Sequence, residues 1–238
     1  MDAGRISIII PTLNEASRVA RALDSARADN SEAIVVDGGS SDATPSIARE
    51  RGATVLCSAR GRARQMNLGA REASGEFLLF LHADGKLPEG YADSLRCLLS
   101  RSPIAGGAFR LGIESRGFGL RMIEAVANWR ACRLQCPYGD QAIFTRRATF
   151  LELGGYPDLP IMEDFVLIRR LRHRGRIVIS PLTVGTSARR WQSNGTWRTT
   201  LINQAVVLGY LAGLPPARLA RLRSRGAGAA APPTSGRA

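Results

Sequence analysis

Lysine is nearly missing from this chain of 238 residues: Lys86 stands alone among 33 basic residues, the rest being arginine. Arginine in place of lysine follows first from the codon usage of a GC-rich genome, so the swap itself carries no function. Histidine is scarce, with only His82 and His173, and the four cysteines (Cys57, Cys97, Cys132, Cys136) form no C-x-x-C pair. Structural zinc sites are built from closely spaced Cys and His ligands; that class is set aside, and the cysteines read as half-buried reduced thiols. No run reaches the ~18 consecutive apolar residues of a membrane span. The N-terminus enters a strand with no signal-peptide pattern before it, so the expectation is a cytoplasmic protein. Neither a G-x-G-x-x-G after the first strand nor a G-x-x-x-x-G-K-[ST] occurs, which removes the usual dinucleotide fold and the P-loop. Acidic residues are missing from one end. Residues 1–164 hold 20 basic and 20 acidic side chains, whereas 165–238 hold 13 arginines and no Asp or Glu. The net charge of +13 therefore belongs to the last third, and it suits contact with an anion: a phosphate, a lipid surface or a nucleic acid.

What is present is an alternation. Short, nearly continuous apolar runs at 6–10, 33–36, 54–57 and 77–81 read as strands buried on both faces. Between them, 18–28, 45–51 and 62–73 read as helices, Pro45 sitting in a first turn. Strands alternating with helices predict a parallel sheet covered on both faces. Beyond residue 99 the pattern loosens: strands are expected at 106–111, 141–145 and 176–180, and helices at 118–132, 147–153, 164–174 and 196–214. The Gly-, Ala- and Pro-rich stretch 226–238 reads as a disordered tail.

Ligands of open α/β sheets bind beyond the carboxyl ends of the strands. There the first strand is followed by Pro11-Thr12-Leu13-Asn14-Glu15, the second by Asp37-Gly38-Gly39-Ser40-Ser41-Asp42 and the fourth by His82-Ala83-Asp84. Singly each is ordinary turn chemistry; together they put acidic and hydrogen-bonding groups on one sheet edge. Carboxylates suit a base N–H, ribose hydroxyls and a divalent cation bridging a pyrophosphate.

These motifs, with Met162-Glu163-Asp164 opening a helix, resemble the inverting glycosyltransferases of family 2. The resemblance covers residues 5 to about 195. It implies the α/β GT-A fold: a largely parallel, Rossmann-like twisted sheet flanked by helices, here with a C-terminal helical appendage. The variants Asp-Gly-Gly-Ser-Ser-Asp, Leu-His-Ala-Asp, Gly139-Asp140-Gln141 and Arg189-Arg190-Trp191 are similar to a small bacterial subgroup, with His82 where the family usually has the first Asp of D-x-D. What the resemblance implies is a glycosyltransferase domain over 1–195, an apolar and basic helical appendage over 196–225, and transfer of a sugar from a nucleotide-diphosphate sugar to a hydroxyl or carboxyl, with lipids and carotenoid-like acids among the acceptors of the wider family. Pro11, Thr12 and Glu15 would frame base and ribose, and Asp37 would accept a base N–H. Arg60, Arg62 and Arg64 lie where the family contacts the nucleotide, with Asn67 on the same helix. Asp84, with His82, would hold Mn²⁺ or Mg²⁺. Asp164 would be the catalytic base, at a helix start where the dipole suits its charge. Asp140, Glu163, Arg190 and Trp191 would line the acceptor or sugar pocket.

Two other readings stay open: a sugar-phosphate nucleotidyltransferase, which would show a Gly-rich basic loop where Pro-Thr-Leu-Asn-Glu stands, and a non-catalytic nucleotide-sugar-binding module. The apolar stretch 201–214, followed by Arg218, Arg221, Arg223 and Arg225, reads equally as a peripheral membrane anchor and as a helix packed on protein. No nucleic-acid motif occurs.

Overall fold

A computed structural model describes residues 4–115 and 117–226. They form two compact units, one within 4–158 and 163–187, the other within 159–162 and 188–226.

In the first unit the apolar runs become strands β1 (Ile6–Thr12), β2 (Ser31–Asp37), β3 (Thr54–Cys57) and β4 (Phe77–Phe80), all parallel. Successive side chains point to opposite faces, so one run feeds two cores. Ile8 and Ile10 meet Val19 and Leu23 of α1 (Val19–Ser25) and Leu95 and Leu99 of α4 (Tyr91–Leu99). Ile9 and Val36 meet Met66 and Ala70 of α3 (Arg62–Glu72). Each such fully buried aliphatic side chain contributes roughly 1.5–3 kcal/mol. The short α2 (Thr44–Glu50) connects β2 to β3.

The second half departs from simple alternation. β5 (Gly85–Lys86), β6 (Ile104–Glu114), β7 (Phe144–Arg146) and β8 (Arg176–Ser187) extend the sheet to the order β3-β2-β1-β4-β7-β6-β8-β5. β7 runs antiparallel between β4 and β6, and β6 and β8 are parallel. The strand expected at 141–145 is therefore shifted: Gln141 belongs to a 3-10 turn (Gly139–Gln141). The strand expected to stop at 180 continues to Ser187. It passes Pro181 because the register jumps from Ala108–Ile179 to Arg110–Thr183, and the resulting bulge leaves proline without a ladder bond to donate.

Helix α5 (Phe118–Leu134) covers the part of β6 that β7 does not reach. Asn128 there closes a two-way bond with Leu111, and Glu124 accepts the Ile113 N–H. Helices α6 (Arg147–Glu152) and α7 (Glu163–Arg172) complete the unit. The cysteines are free, but Cys57, Cys97 and Cys132 are exposed and only Cys136 is half-buried; each exposed one sits at a strand end or on the outward face of a helix.

The second unit is helical: α8 (Arg189–Asn194), α9 (Thr196–Leu211) and α10 (Pro216–Gly226). Gly213, with φ of +84°, turns the chain after α9. α10 then returns along α9, its buried Leu219 so close to Gly209 that a Cβ there would come within 2.8 Å. Among the described residues no helix is long and apolar enough to cross a membrane. Residues 227–238 of the expected disordered tail lie outside the described residues.

Candidate functional site

Two clusters form at strand and helix ends, and the first turns of α3 connect them. In the first, Thr12 and Asp37 pair in register at the ends of β1 and β2. The Asp37 carboxylate accepts the N–H of Gly39 (3.0 Å) and Ser40 (2.8 Å) on Oδ2, and the hydroxyls of Thr12 (3.2 Å) and Ser40 on Oδ1. Burial pushes this carboxyl up, but those four bonds together outweigh it and hold it below the usual aspartate range. A carboxylate offers about four acceptor sites, and these four bonds take them all. The loops after β1 and β2 are tied to each other as well. Asn14 N–H donates to Ser40 Oγ, Glu15 N–H to Thr44 Oγ1 and Ala16 N–H to Asp42 Oδ2. Gln65, buried on α3, donates to the carbonyls of Thr12 (2.8 Å) and Val36 (2.7 Å). Pro11 lies just before Thr12 in β1, and Glu15 pairs with Arg18 at 2.8 Å.

The second cluster gathers one turn earlier on α3. Arg62 Nε donates to Glu163 Oε1 at 2.5 Å, and its Nη1 lies 3.3 Å from His82 Nε2. Glu163 is only 2% exposed, and its Oε2 is buried with no hydrogen-bond partner among the described residues. Asp164, half-buried beside it, accepts the Gly139 N–H on Oδ2 at 2.7 Å and the Phe165 N–H on Oδ1 at 2.7 Å. Gly139 is where these side chains meet: a Cβ on it would stand 3.1 Å from His82 Nε2 and 3.3 Å from Asp164 Oδ2. The turn that holds Gly139 is itself held. Gln141, fully buried, donates to Phe109 O, and Arg130 of α5 lies 3.5 Å over the Tyr138 ring and donates to Cys136 O.

The electrostatics are those of one buried and one half-buried carboxylate beside one arginine. Burial works against the Arg62 charge, but Glu163 and Asp164 outweigh it and hold the guanidinium above its ordinary value. Burial first, then the negative charges of Asp164 and Glu163, push the Tyr156 hydroxyl well above its usual range, against a smaller pull from Arg62. Tyr156 therefore stays a neutral phenol, packed edge-on against Phe80 with ring centres 5.0 Å apart.

Not every expected residue joins these clusters. Arg60 is exposed in the loop after β3. Arg64 points outward from α3 and forks onto Asp158 at 2.7–3.0 Å. Asn67 instead fastens the backbone of Tyr156 in both directions. Asp140 is half-buried in the 3-10 turn. Arg190 and Trp191 belong to α8 of the second unit, Trp191 being buried. Sequence reasoning missed Gln65, Gly139 and Tyr156.

Among the described residues no three His, Cys, Asp or Glu side chains converge as a cation site. Arginine only donates, so its contact with His82 occupies the Nε2 lone pair, and that nitrogen could ligate a cation only with Arg62 moved away. Asp84 fits better: half-buried in the turn between β4 and β5, it makes no side-chain bond among the described residues. A single carboxylate suffices where substrate phosphates supply other oxygens.

The sequence pattern of the family described as Glycosyl transferase family 2 matches residues 7–130. A PGL/p-HBAD biosynthesis glycosyltransferase of Mycobacterium tuberculosis is 41% identical over 105 residues, 40% of each chain. An uncharacterized glycosyltransferase of Rickettsia felis is 33% identical over 97 residues, 40% of this chain and 34% of that one. The match thus spans about two fifths or less of these curated relatives. Among solved structures, the mannosyltransferase PcManGT of Pyrobaculum calidifontis, in complex with GDP-Man and Mn²⁺, superposes with a TM-score of 0.67 at 19% identity, over 94% of this chain and 69% of that one. Residues 1–349 of S. aureus TarS, in complex with UDP, give 0.61 at 19% identity, over 93% and 70%. The fold is the GT-A fold.

Proposed function

Because this chain belongs to glycosyl transferase family 2, we propose that it moves a sugar from a nucleotide-diphosphate sugar to an acceptor hydroxyl or carboxyl, with inversion at the anomeric carbon. The observation that carries this reading is the meeting of Asp164, His82, Arg62 and Glu163 around Gly139. The diphosphates carried by the two superposed enzymes support the donor class.

In this reading Thr12, Glu15 and Asp37 hold base and ribose, with Arg60 and Arg64 at the rim of the nucleotide site. Asp84 would hold Mn²⁺ or Mg²⁺ on the donor's diphosphate, where the cation supplies positive charge to the leaving group. Asp164, oriented by the Gly139 N–H, takes the proton of the acceptor hydroxyl as its oxygen bonds to the anomeric carbon. The bond from that carbon to the diphosphate oxygen breaks on the opposite side, and Arg62 lends charge to the departing anion. Glu163 keeps Arg62 in place and turns Oε2 toward a sugar or acceptor hydroxyl, with Asp140 lining the same pocket. The proposal divides the chain into a transferase domain to about residue 195 and an appendage over 196–225 that touches the cytoplasmic face of a membrane. Exposed Leu208, Leu211 and Leu214 beside exposed Arg218 and Arg221 support that contact.

The test is Asp164→Asn. General-base catalysis is worth roughly 10²–10⁴-fold, so transfer should fall by about that factor while nucleotide affinity stays within a few-fold. Surviving turnover would remove Asp164 from the base role, and an equal loss of nucleotide affinity would make it a binding residue.

A further inference from the structure

Helix α5 is pinned on one side and bare on the other. Its inner face buries Leu120, Glu124, Ala127 and Ala131 against the first unit. Its outer face carries Phe118, Met122, Val126 and Trp129 at i, i+4, i+8 and i+11, which is one stripe of a helix, and all four are exposed, Phe118 by 79% and Trp129 by 59%. From Phe118 to Trp129 the stripe makes a bare apolar strip about 17 Å long. Single exposed hydrophobes are ordinary, but a contiguous strip marks an interaction surface.

Charge selects the partner. α5 carries three arginines and one carboxylate, and that carboxylate, Glu124, is buried and paired with Arg121. Arg121 spends its charge on that pair and on the carbonyls of Ile113 and Ser115, and exposed Arg133 borders the strip with no exposed acid on the helix. A second copy docked by a two-fold would set this patch against itself, arginine facing arginine. An anionic bilayer answers both features at once: aromatic and aliphatic side chains enter the headgroup–acyl boundary while arginines meet lipid phosphates. The second unit, taken by itself, repeats the combination on α9 and α10.

The place of α5 gives the surface its use. The helix leads directly into the turn at 138–141, where its Arg130 stacks on Tyr138 and the Gly139 N–H orients Asp164. We propose that α5 lies in the interface of an anionic bilayer, so that Asp164 serves an acceptor embedded in that bilayer, an amphiphile with a membrane-held tail and a hydroxyl at the headgroup level. This rests on the transferase reading and names its acceptor class.

The chain has three tryptophans. In the full chain with Trp191→Phe and Trp197→Phe, Trp129 is the sole reporter. Phosphatidylcholine vesicles containing about a third phosphatidylglycerol should shift its emission to the blue, and brominated acyl chains should quench it; pure phosphatidylcholine should do so far less. Vesicle binding with unmoved Trp129 emission would overturn the proposal, as would a blue shift that follows protein concentration without lipid, the mark of a second copy. In the otherwise native chain, Phe118→Ser with Trp129→Ser should weaken co-sedimentation with the anionic vesicles at least tenfold; unchanged affinity would overturn the proposal. Nucleoside-diphosphate binding, read by thermal shift on the same samples, belongs to the transferase reading alone, so a failure of either is told from a failure of the other.

Discussion

Glu163 and Asp164 are neighbours with opposite duties. Asp164 is half-open and fixed by two backbone N–H groups, an arrangement that suits the base role proposed for it. Glu163 is sealed against Arg62, whose side chain is a third exposed. Removing one partner of a buried ion pair leaves an uncompensated charge, at a cost of about 3–5 kcal/mol when both are buried. With Arg62 partly open, Arg62→Met should cost about 2–3 kcal/mol in urea unfolding. Adding Glu163→Gln should restore most of it; additive losses would show that the two act separately. Asp37 sets an acid limit. Its folded carboxyl is held low, so its bonds contribute their full stability above the unfolded value of ~3.9, and that stability is lost as pH falls through the lowered folded value. Asp37→Asn should lose stability at neutral pH and flatten the unfolding curve between about pH 4 and the acid end. An unchanged acid profile would mean the bonds to Ser40, Gly39 and Thr12 do not favour the ionised form. The placement of the candidate residues was only half legible in the sequence. The motifs are local, so the positions of Thr12 and Asp37 at the sheet edge and of Asp164 at a helix start could be read. Arg62 and Arg64 are indistinguishable until the phase of α3 is known: Arg62 shares a face with Gln65 three residues on, while Arg64 turns out to Asp158.

Among elements, the turn at Gly139–Gln141 has little room to change. A methyl on Gly139 would press on His82 Nε2 and Asp164 Oδ2 together, and both are anchored. Gly139→Ala should lower transfer by at least tenfold, about 1.4 kcal/mol of barrier, with the thermal midpoint nearly unchanged. A fully active, well-folded variant would show that the approach of these groups is loose. The first four strands were legible because buried parallel strands are continuous apolar runs. α4 was legible and went unread: Tyr91, Leu95 and Leu99 follow the helical i, i+4, i+8 spacing and are all buried. The course of β8 past Pro181 was not legible, since a proline in a strand signals an end unless a partner supplies the bulge. The antiparallel place of β7 was not legible either, because three residues carry too little pattern to fix direction.

At the scale of the molecule, charge and fold divide between the units. The acid-free stretch from 165 onward begins on α7 in the first unit and supplies every charge of α8 to α10. That asymmetry was plain in composition. The helical turn-back of α10 on α9 was not, because Pro215-Pro216 reads as a stop, yet Pro216 sits at the first position of α10, where its missing N–H costs nothing. The strand-end motifs carry the proposed donor site, so the donor end is where the central claim is most exposed. The most direct measurement is a thermal-shift series with UDP, GDP, CDP, dTDP and ADP, each with and without Mn²⁺. A ligand bound only by the folded state adds about 2.7 kcal/mol at a hundredfold excess over its dissociation constant. A rise with one diphosphate, larger with Mn²⁺ and reduced by Asp84→Asn, is the expected result. No rise with any of the five would contradict a nucleotide-sugar donor and leave the strand-end motifs as turns.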